Sequence, residues 1–97
     1  MAKAYWIAHV AVRDPERYKD YVAGAKPAFE RHEARFLARG GAHEQVEGED
    51  LGSRHVIIEF ASMTQARACY FSAEYQAAMQ HRLAAATGRI LIVEGVE

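Results

Sequence analysis

The 97-residue sequence has a single cysteine and two prolines, and neither charge sign dominates, with 12 Lys and Arg against 13 Asp and Glu. One thiol, Cys69, closes no intramolecular disulfide and reads as a small buried apolar residue in a reducing compartment. A formal net charge of -1 without any basic run excludes a nucleic-acid footprint. No apolar run approaches the length of a membrane span. His9 and Arg13 interrupt the N-terminal apolar stretch and no small-residue cleavage site follows, so no signal peptide is read and a cytoplasmic location is expected. There is no Cys-x-x-Cys and no pair of histidines four apart, so neither a metal nor an organic cofactor is expected.

What remains is an ordinary globular composition, 51% hydrophobic and 26% charged. That length and balance fit one domain, residues 1–97, with a small core. Residues 5–12 are β-rich and apolar on both faces, as in a central strand. Asp14-Pro15 starts a helix, with Asp14 as cap and Pro15 where its missing N–H costs nothing. Tyr18, Tyr21, Val22, Ala25, Ala28, Phe29 and His32 form its apolar stripe. Pro27 crowds the carbonyl of Ala23, so a kink or break is expected over 23–26, eased by Gly24.

Residues 34–38 read as a second strand, Gly40-Gly41 as a bulge or bend, and 43–47 as the strand resumed. After a turn over 48–53, residues 54–60 form a third strand. Ser62-Met63-Thr64-Gln65 matches a capping box opening a helix to about residue 71. Ser72 caps a further segment carrying Tyr75, Met79 and Leu83, which Thr87-Gly88 ends. Residues 89–96 form the fourth strand. The expected fold class is therefore α+β, a ferredoxin-like βαββαβ domain with a four-stranded antiparallel sheet. Right-handed crossovers put strands one and three at its centre.

Two helices cover one face of such a sheet. Period-two parity gives Trp6, Ala8, Val10, Phe36, Ala38, Val56, Ile58, Phe60, Leu91 and Val93 to that face. The outer face then carries Tyr5, Ile7, Leu37, Ile57, Ile90 and Ile92. Leaving five or six such side chains in water forgoes roughly 10 kcal/mol, at about 1.5–3 kcal/mol each. A second copy laid face to face removes that exposure, so a homodimer is expected, with Ile7, Ile57 and Ile92 in its interface.

The ordered set Lys3-Ala4-Tyr5-Trp6-Ile7-Ala8, Asp14-Pro15-Glu16 with Tyr18 and Tyr21, and Arg35-Phe36-Leu37-Ala38-Arg39-Gly40-Gly41 resembles the domain-of-unknown-function 1330 family. Glu47-Gly48, Arg54, Ile58-Glu59-Phe60, Tyr70, Ser72, Glu74-Tyr75, Arg82 and Glu94-Gly95 continue the match over nearly the whole chain. The resemblance implies a dimeric α+β barrel, two ferredoxin-like sheets enclosing a cavity. That superfamily includes cofactor-free monooxygenases, muconolactone-type isomerases, haem-binding proteins and small stress proteins, and the family itself has no settled activity. The chain departs from the pattern at His32-Glu33-Ala34, where a Gly-Gly pair is usual, at Cys69 and Phe71, and at Ala73, which replaces a proline.

By parity, His9, Glu59 and Glu94 share the outer face. A histidine beside a carboxylate serves as a general base, so these are the candidate catalytic residues. Arg39, through its planar fork, and Tyr5 are the candidate substrate contacts. The competing reading is a polar network that satisfies itself at the dimer interface, with Arg39 on Glu59 or Glu94. Gly40-Gly41 lacks the lysine and Ser/Thr of a phosphate loop, and Ser72 has no neighbouring base and reads as a cap. Three functions follow: a homodimer binding a small organic molecule between its sheets without cofactor, a monooxygenase- or isomerase-like enzyme using the His/carboxylate pair, or a structural or stress-linked dimer with a filled cavity. No nucleic-acid or membrane partner is expected.

Overall fold

Strict alternation in the first strand organises the fold. A computed structural model describes residues 2–97. In β1 (Ala4–Val12), Ala4, Trp6, Ala8 and Val10 are buried, while Tyr5, Ile7 and His9 are only partly so. The following elements are α1 (Pro15–Arg31), β2 (Arg35–Arg39), β3 (Arg54–Phe60), α2 (Met63–Tyr70), α3 (Ala73–Ala85) and β4 (Ala86–Glu94). The sheet is antiparallel in the order β2-β3-β1-β4, so the ferredoxin-like arrangement with β1 and β3 central is the one observed.

Local chemistry accounts for the helix boundaries. The Asp14 carboxylate accepts from the backbone N–H of Arg17 (3.2 Å), Ser62 Oγ from Gln65 (3.1 Å) and Ser72 Oγ from Tyr75 (3.2 Å), each satisfying a free helix-start donor. The Gln65 side chain does not complete a capping box but donates to the carbonyl of His32 (3.0 Å), tying α2 to the end of α1. α1 continues through Pro27 without the expected break. Gly24 serves packing instead: a Cβ there would lie 3.2 Å from Cβ of Ala78, so its absence lets α1 and α3 approach closely. At the end of α1, Glu33 takes a left-handed φ of 55°, the position a glycine would occupy without strain.

The core sits between the helices and one sheet face. Trp6, 1% exposed, is ringed by Phe29, Phe60, Tyr70 and Tyr75 at centroid distances of 5.0–6.1 Å. Cys69 is buried there, as expected. Burial pushes its thiol up to about 12, so it stays protonated.

Three expectations about the sheet are corrected. Residues 43–47 form no strand, and the Gln45 side chain instead bridges the loop to Glu47, Gly48 and Leu51. β4 begins at Ala86, so Thr87 and Gly88 lie inside the strand rather than ending a helix. Its parity is also opposite to that expected: Ile90 pairs with Ala8 and Ile92 with Trp6, so both face the helices, whereas Leu91 (52% exposed) and Val93 (45%) join Ile7 and Tyr5 on the outer face. Among the described residues, no helix is long and apolar enough to cross a membrane.

Candidate functional site

Of the residues expected on the outer face, Tyr5, His9 and Glu59 are there. Tyr5 is directly opposite Glu59 in the β1–β3 register, and its hydroxyl donates to the Glu59 carboxylate (3.4 Å). Lys3 Nζ lies 3.3 Å from the same carboxylate and Arg35 Nη1 3.9 Å. His9 stands four residues further along β1, about 13 Å away at ~3.3 Å per residue. It pairs with His55, Nδ1 to Nδ1 at 2.9 Å, and the His43 ring stacks edge-on against His55 at 4.4 Å. The face therefore brings histidine to histidine and carboxylate to lysine, arginine and tyrosine, with no His–carboxylate dyad among these residues. Among the described residues, no group of three or more His, Cys, Asp or Glu is arranged to hold a metal ion.

Glu94 and Arg39 are corrected to the other face. Glu94 pairs with buried Ala4 and so points to the helix side, beside the start of α2. In β2, Phe36 pairs with Ile58 and Ala38 with Ile57, leaving Leu37 as an extra residue in a bulge. One added residue reverses side-chain parity downstream. Arg39, opposite Val56, is thereby turned to the helix side, where its guanidinium stacks on Phe36 at 4.2 Å. Ile92 leaves the expected dimer face without any bulge, because the continuous β1–β4 register sets it opposite Trp6.

That helix side contains the more distinctive site. Between α1 and the sheet lies a cavity of about 30 Å³, walled by Trp6, Tyr18, Tyr21, Phe29 and Phe36. It has room for one or two waters. Phe29, Phe36 and Arg39 also line an adjoining depression of about 230 Å³ between α1 and β2, whose rim carries Lys26 and Glu30. Three guanidinium groups converge on the inner cavity, those of Arg39, Arg54 and Arg82, and no Asp, Glu or His is among its lining residues.

Arg82 is the group that sequence reasoning misses. It projects from α3 in register with Tyr75, Ala78 and Ala85, all buried, and is itself only 5% exposed. Leu83, expected in the stripe, is exposed. A charged residue at a core-facing helical position was the available signal. The Arg82 guanidinium lies 5.7 Å from the Tyr21 ring and Arg54 5.5 Å from the Tyr18 ring. The Nε atoms of both arginines are buried without a hydrogen-bond partner among the described residues. Glycine makes room for one of them: a Cβ on Gly40 would lie 2.5 Å from Arg54 Nη1, and Gly40 holds a φ of 66°.

Beside Arg82, the Tyr21 and Tyr75 hydroxyls are joined at 2.8 Å. Burial, reinforced by Tyr75, raises the pKa of Tyr21 far beyond the phenolic range. Burial also raises that of Tyr75, with the Arg82 guanidinium pulling the other way. Both stay neutral hydroxyls, while Arg82 stays charged. The cavity thus offers hydrogen-bond donors and positive charge within aromatic walls, but no strong base.

Comparison with known proteins agrees with this architecture. Residues 3–96 match the family described as domain of unknown function (DUF1330), and the chain belongs to that family. No curated protein matches it. A Rhodopseudomonas palustris protein of unknown function is similar in structure, with 19% identity, a TM-score of 0.81, and coverage of 99% of this chain and 84% of that one. SnoaB, a cofactor-independent oxygenase from Streptomyces nogalater, is similar at 12% identity and a TM-score of 0.68, over 100% of this chain and 96% of that one. A dimeric ferredoxin-like protein of unknown function from Thermobifida fusca gives 12% identity and a TM-score of 0.59, over 97% and 92%.

Proposed function

We propose that this DUF1330 protein is a homodimer, packed sheet to sheet, in which each subunit binds a small organic molecule without cofactor in the pocket between α1 and the sheet. The observation that supports the reading is the pocket itself, an aromatic-walled space lined by two arginines whose buried Nε atoms have no partner among the described residues. Buried polar groups are normally satisfied, and a convergent set of unsatisfied donors in an aromatic pocket is the usual mark of a ligand site. The inner cavity has room for one or two waters only, so it takes a polar head group, and the body of the ligand lies in the adjoining depression of about 230 Å³ between α1 and β2. Dimerisation is supported by the outer face, where Ile7, Ile57, Leu91 and Val93 form one apolar surface, and by the dimeric state of the Thermobifida fusca neighbour.

A second reading, a cofactor-independent oxygenase, is favoured by the shared fold of SnoaB. The pocket chemistry tilts toward binding. Its titratable lining groups are arginines and tyrosines, and Tyr21, held neutral by burial, is a poor proton acceptor.

The test uses Trp6, the one tryptophan of the chain and part of the pocket wall. Sedimentation at micromolar concentration is expected to return a dimer. A panel of small ring compounds, neutral and charged (benzyl alcohol, cyclohexanol, benzamide, benzoate), is expected to include at least one that shifts Trp6 emission saturably. A monomer would remove the dimer, and silence across the whole panel would remove the pocket.

A further inference from the structure

We propose that the ligand is an organic anion, a carboxylate on a small apolar body, whose head enters the inner cavity between Arg82 and Arg54 and whose body lies against Phe29 and Phe36 in the adjoining depression. This rests on the pocket reading above and names the class of molecule that fills it.

The argument starts from Arg82. A guanidinium that is 5% exposed is almost always paired with an acid, because an isolated buried charge is expensive. The ion pairs among the described residues join Lys3 and Arg35 to Glu59, Lys19 to Glu16, and Arg31 to Glu74. Arg39, Arg54 and Arg82 have none among those residues. The pocket therefore sets buried Arg82 and half-buried Arg54, with exposed Arg39 at its mouth, against no negative lining group, and Coulomb attraction for an incoming anion is strongest at its buried end.

Geometry narrows the class. The planar fork of a guanidinium matches a carboxylate with two parallel hydrogen bonds. The Nε atoms, half of one such fork, are the donors left unmet in both Arg54 and Arg82. The walls beyond them are rings and aliphatic side chains, which reward an apolar body and offer a bare inorganic anion nothing. The way in, between α1 and β2, is flanked by Lys26 and Arg39 against Glu30 alone, so the entrance also favours negative charge.

Calorimetry with benzoate, its neutral isostere benzamide, and inorganic phosphate tests the inference on the wild-type chain. Benzoate is expected to bind at least about tenfold more tightly than benzamide, and phosphate weakly, because a charge-assisted pair left unmade costs more than about 1.4 kcal/mol, a factor of ten. Arg54→Gln, at the half-buried end of the pocket, is expected to lose most of the benzoate affinity and to lower that of benzamide by clearly less, so that the preference for benzoate falls. Arg82→Gln is expected to do the same where circular dichroism reports a folded chain. Benzamide binding as well as benzoate would overturn the anion inference and leave the pocket reading standing. Phosphate binding as tightly as benzoate would overturn the apolar body. Unchanged benzoate affinity in Arg54→Gln would overturn the assignment of the head group. No binding by any compound, together with silence of Trp6 toward the neutral panel, would overturn the pocket reading itself.

Discussion

A charge kept in the core for a ligand should weaken the unliganded fold, and Arg82→Met measures that cost. Methionine keeps most of the apolar stem and removes the guanidinium from its 5% exposed position. The loss includes the hydrogen bond to Tyr75 and a ring contact with Tyr21 at 5.7 Å, worth about 1 kcal/mol each. The gain is relief of desolvation, several kcal/mol for a buried ion before compensation, and replacing buried ionic groups with well-packed apolar ones has stabilised proteins by about 1–4 kcal/mol. We expect a net stabilisation of about 1–2 kcal/mol. With a urea slope of about 1–1.5 kcal/mol/M for a domain this size, the unfolding midpoint rises by roughly 1 M. Trp6 fluorescence follows the transition, and protein concentration must be held constant because a dimer's stability depends on it. The same variant is expected to have lost benzoate binding. A destabilisation of 2 kcal/mol or more would refute the reasoning, because it would mean that the fold itself satisfies the guanidinium and that Arg82 is a structural residue.

Ile57→Asp sets a charge in the middle of the outer face, opposite Ile7; losing about 1.5–3 kcal/mol of burial per subunit weakens dimerisation more than a hundredfold, and sedimentation is expected to return a monomer. Burial, then His55 and Arg89, hold the pKa of His9 below 6.5. The unfolded chain therefore binds the His9 proton first as pH falls, so the His9 contribution to stability is complete above 6.5 and is lost as pH drops from there through the folded value. Urea midpoints measured downward from neutral pH are expected to fall more steeply in wild type than in His9→Asn, and equal slopes would contradict the shift. Glu33→Gly removes a side chain from a left-handed φ of 55°; a midpoint rise equivalent to about 0.5–1 kcal/mol is expected, and no rise would show that Glu33 makes compensating contacts.

β1 and β3 are legible in the sequence because each has one uniformly apolar row, Trp6-Ala8-Val10 and Val56-Ile58-Phe60, that only the helix side can accept. β4 is not, because Ile90-Leu91-Ile92-Val93 is apolar throughout and either parity satisfies it; the register against β1 decides. In β2 the bulge falls at Leu37 rather than at the glycines, and nothing in Arg35-Phe36-Leu37-Ala38-Arg39 marks which residue is extra. Those two strands carried Glu94 and Arg39, so the expected outer-face constellation came apart while the fold held. Arg82 escapes notice because a charged residue in an amphipathic helix is ordinarily solvated, and only its neighbours Tyr75, Ala78 and Ala85 place it inward. The left-handed turn at Glu33 is not legible in His32-Glu33-Ala34, because none of these residues is the glycine that would take such a φ without strain.

The two central strands write to both sides of the sheet at once: Trp6 and Ile58 look into the pocket while Ile7 and Ile57, their immediate neighbours, look away from it. Such strands behave like a reading frame. A substitution alters one letter on one side, but inserting or deleting a residue exchanges the two messages wholesale, sending pocket walls outward and outer-face residues into the core. Over evolutionary time β1 and β3 should therefore drift in residue type while resisting any change of length. β2 already contains one frameshift, at Leu37. Deleting Leu37 would leave Ala38 opposite Ile57 and Arg39 opposite Val56, so the frame downstream is kept, whereas the same residues paired without the bulge would set Arg39 opposite His55 and move its charge from the helix side to the outer face.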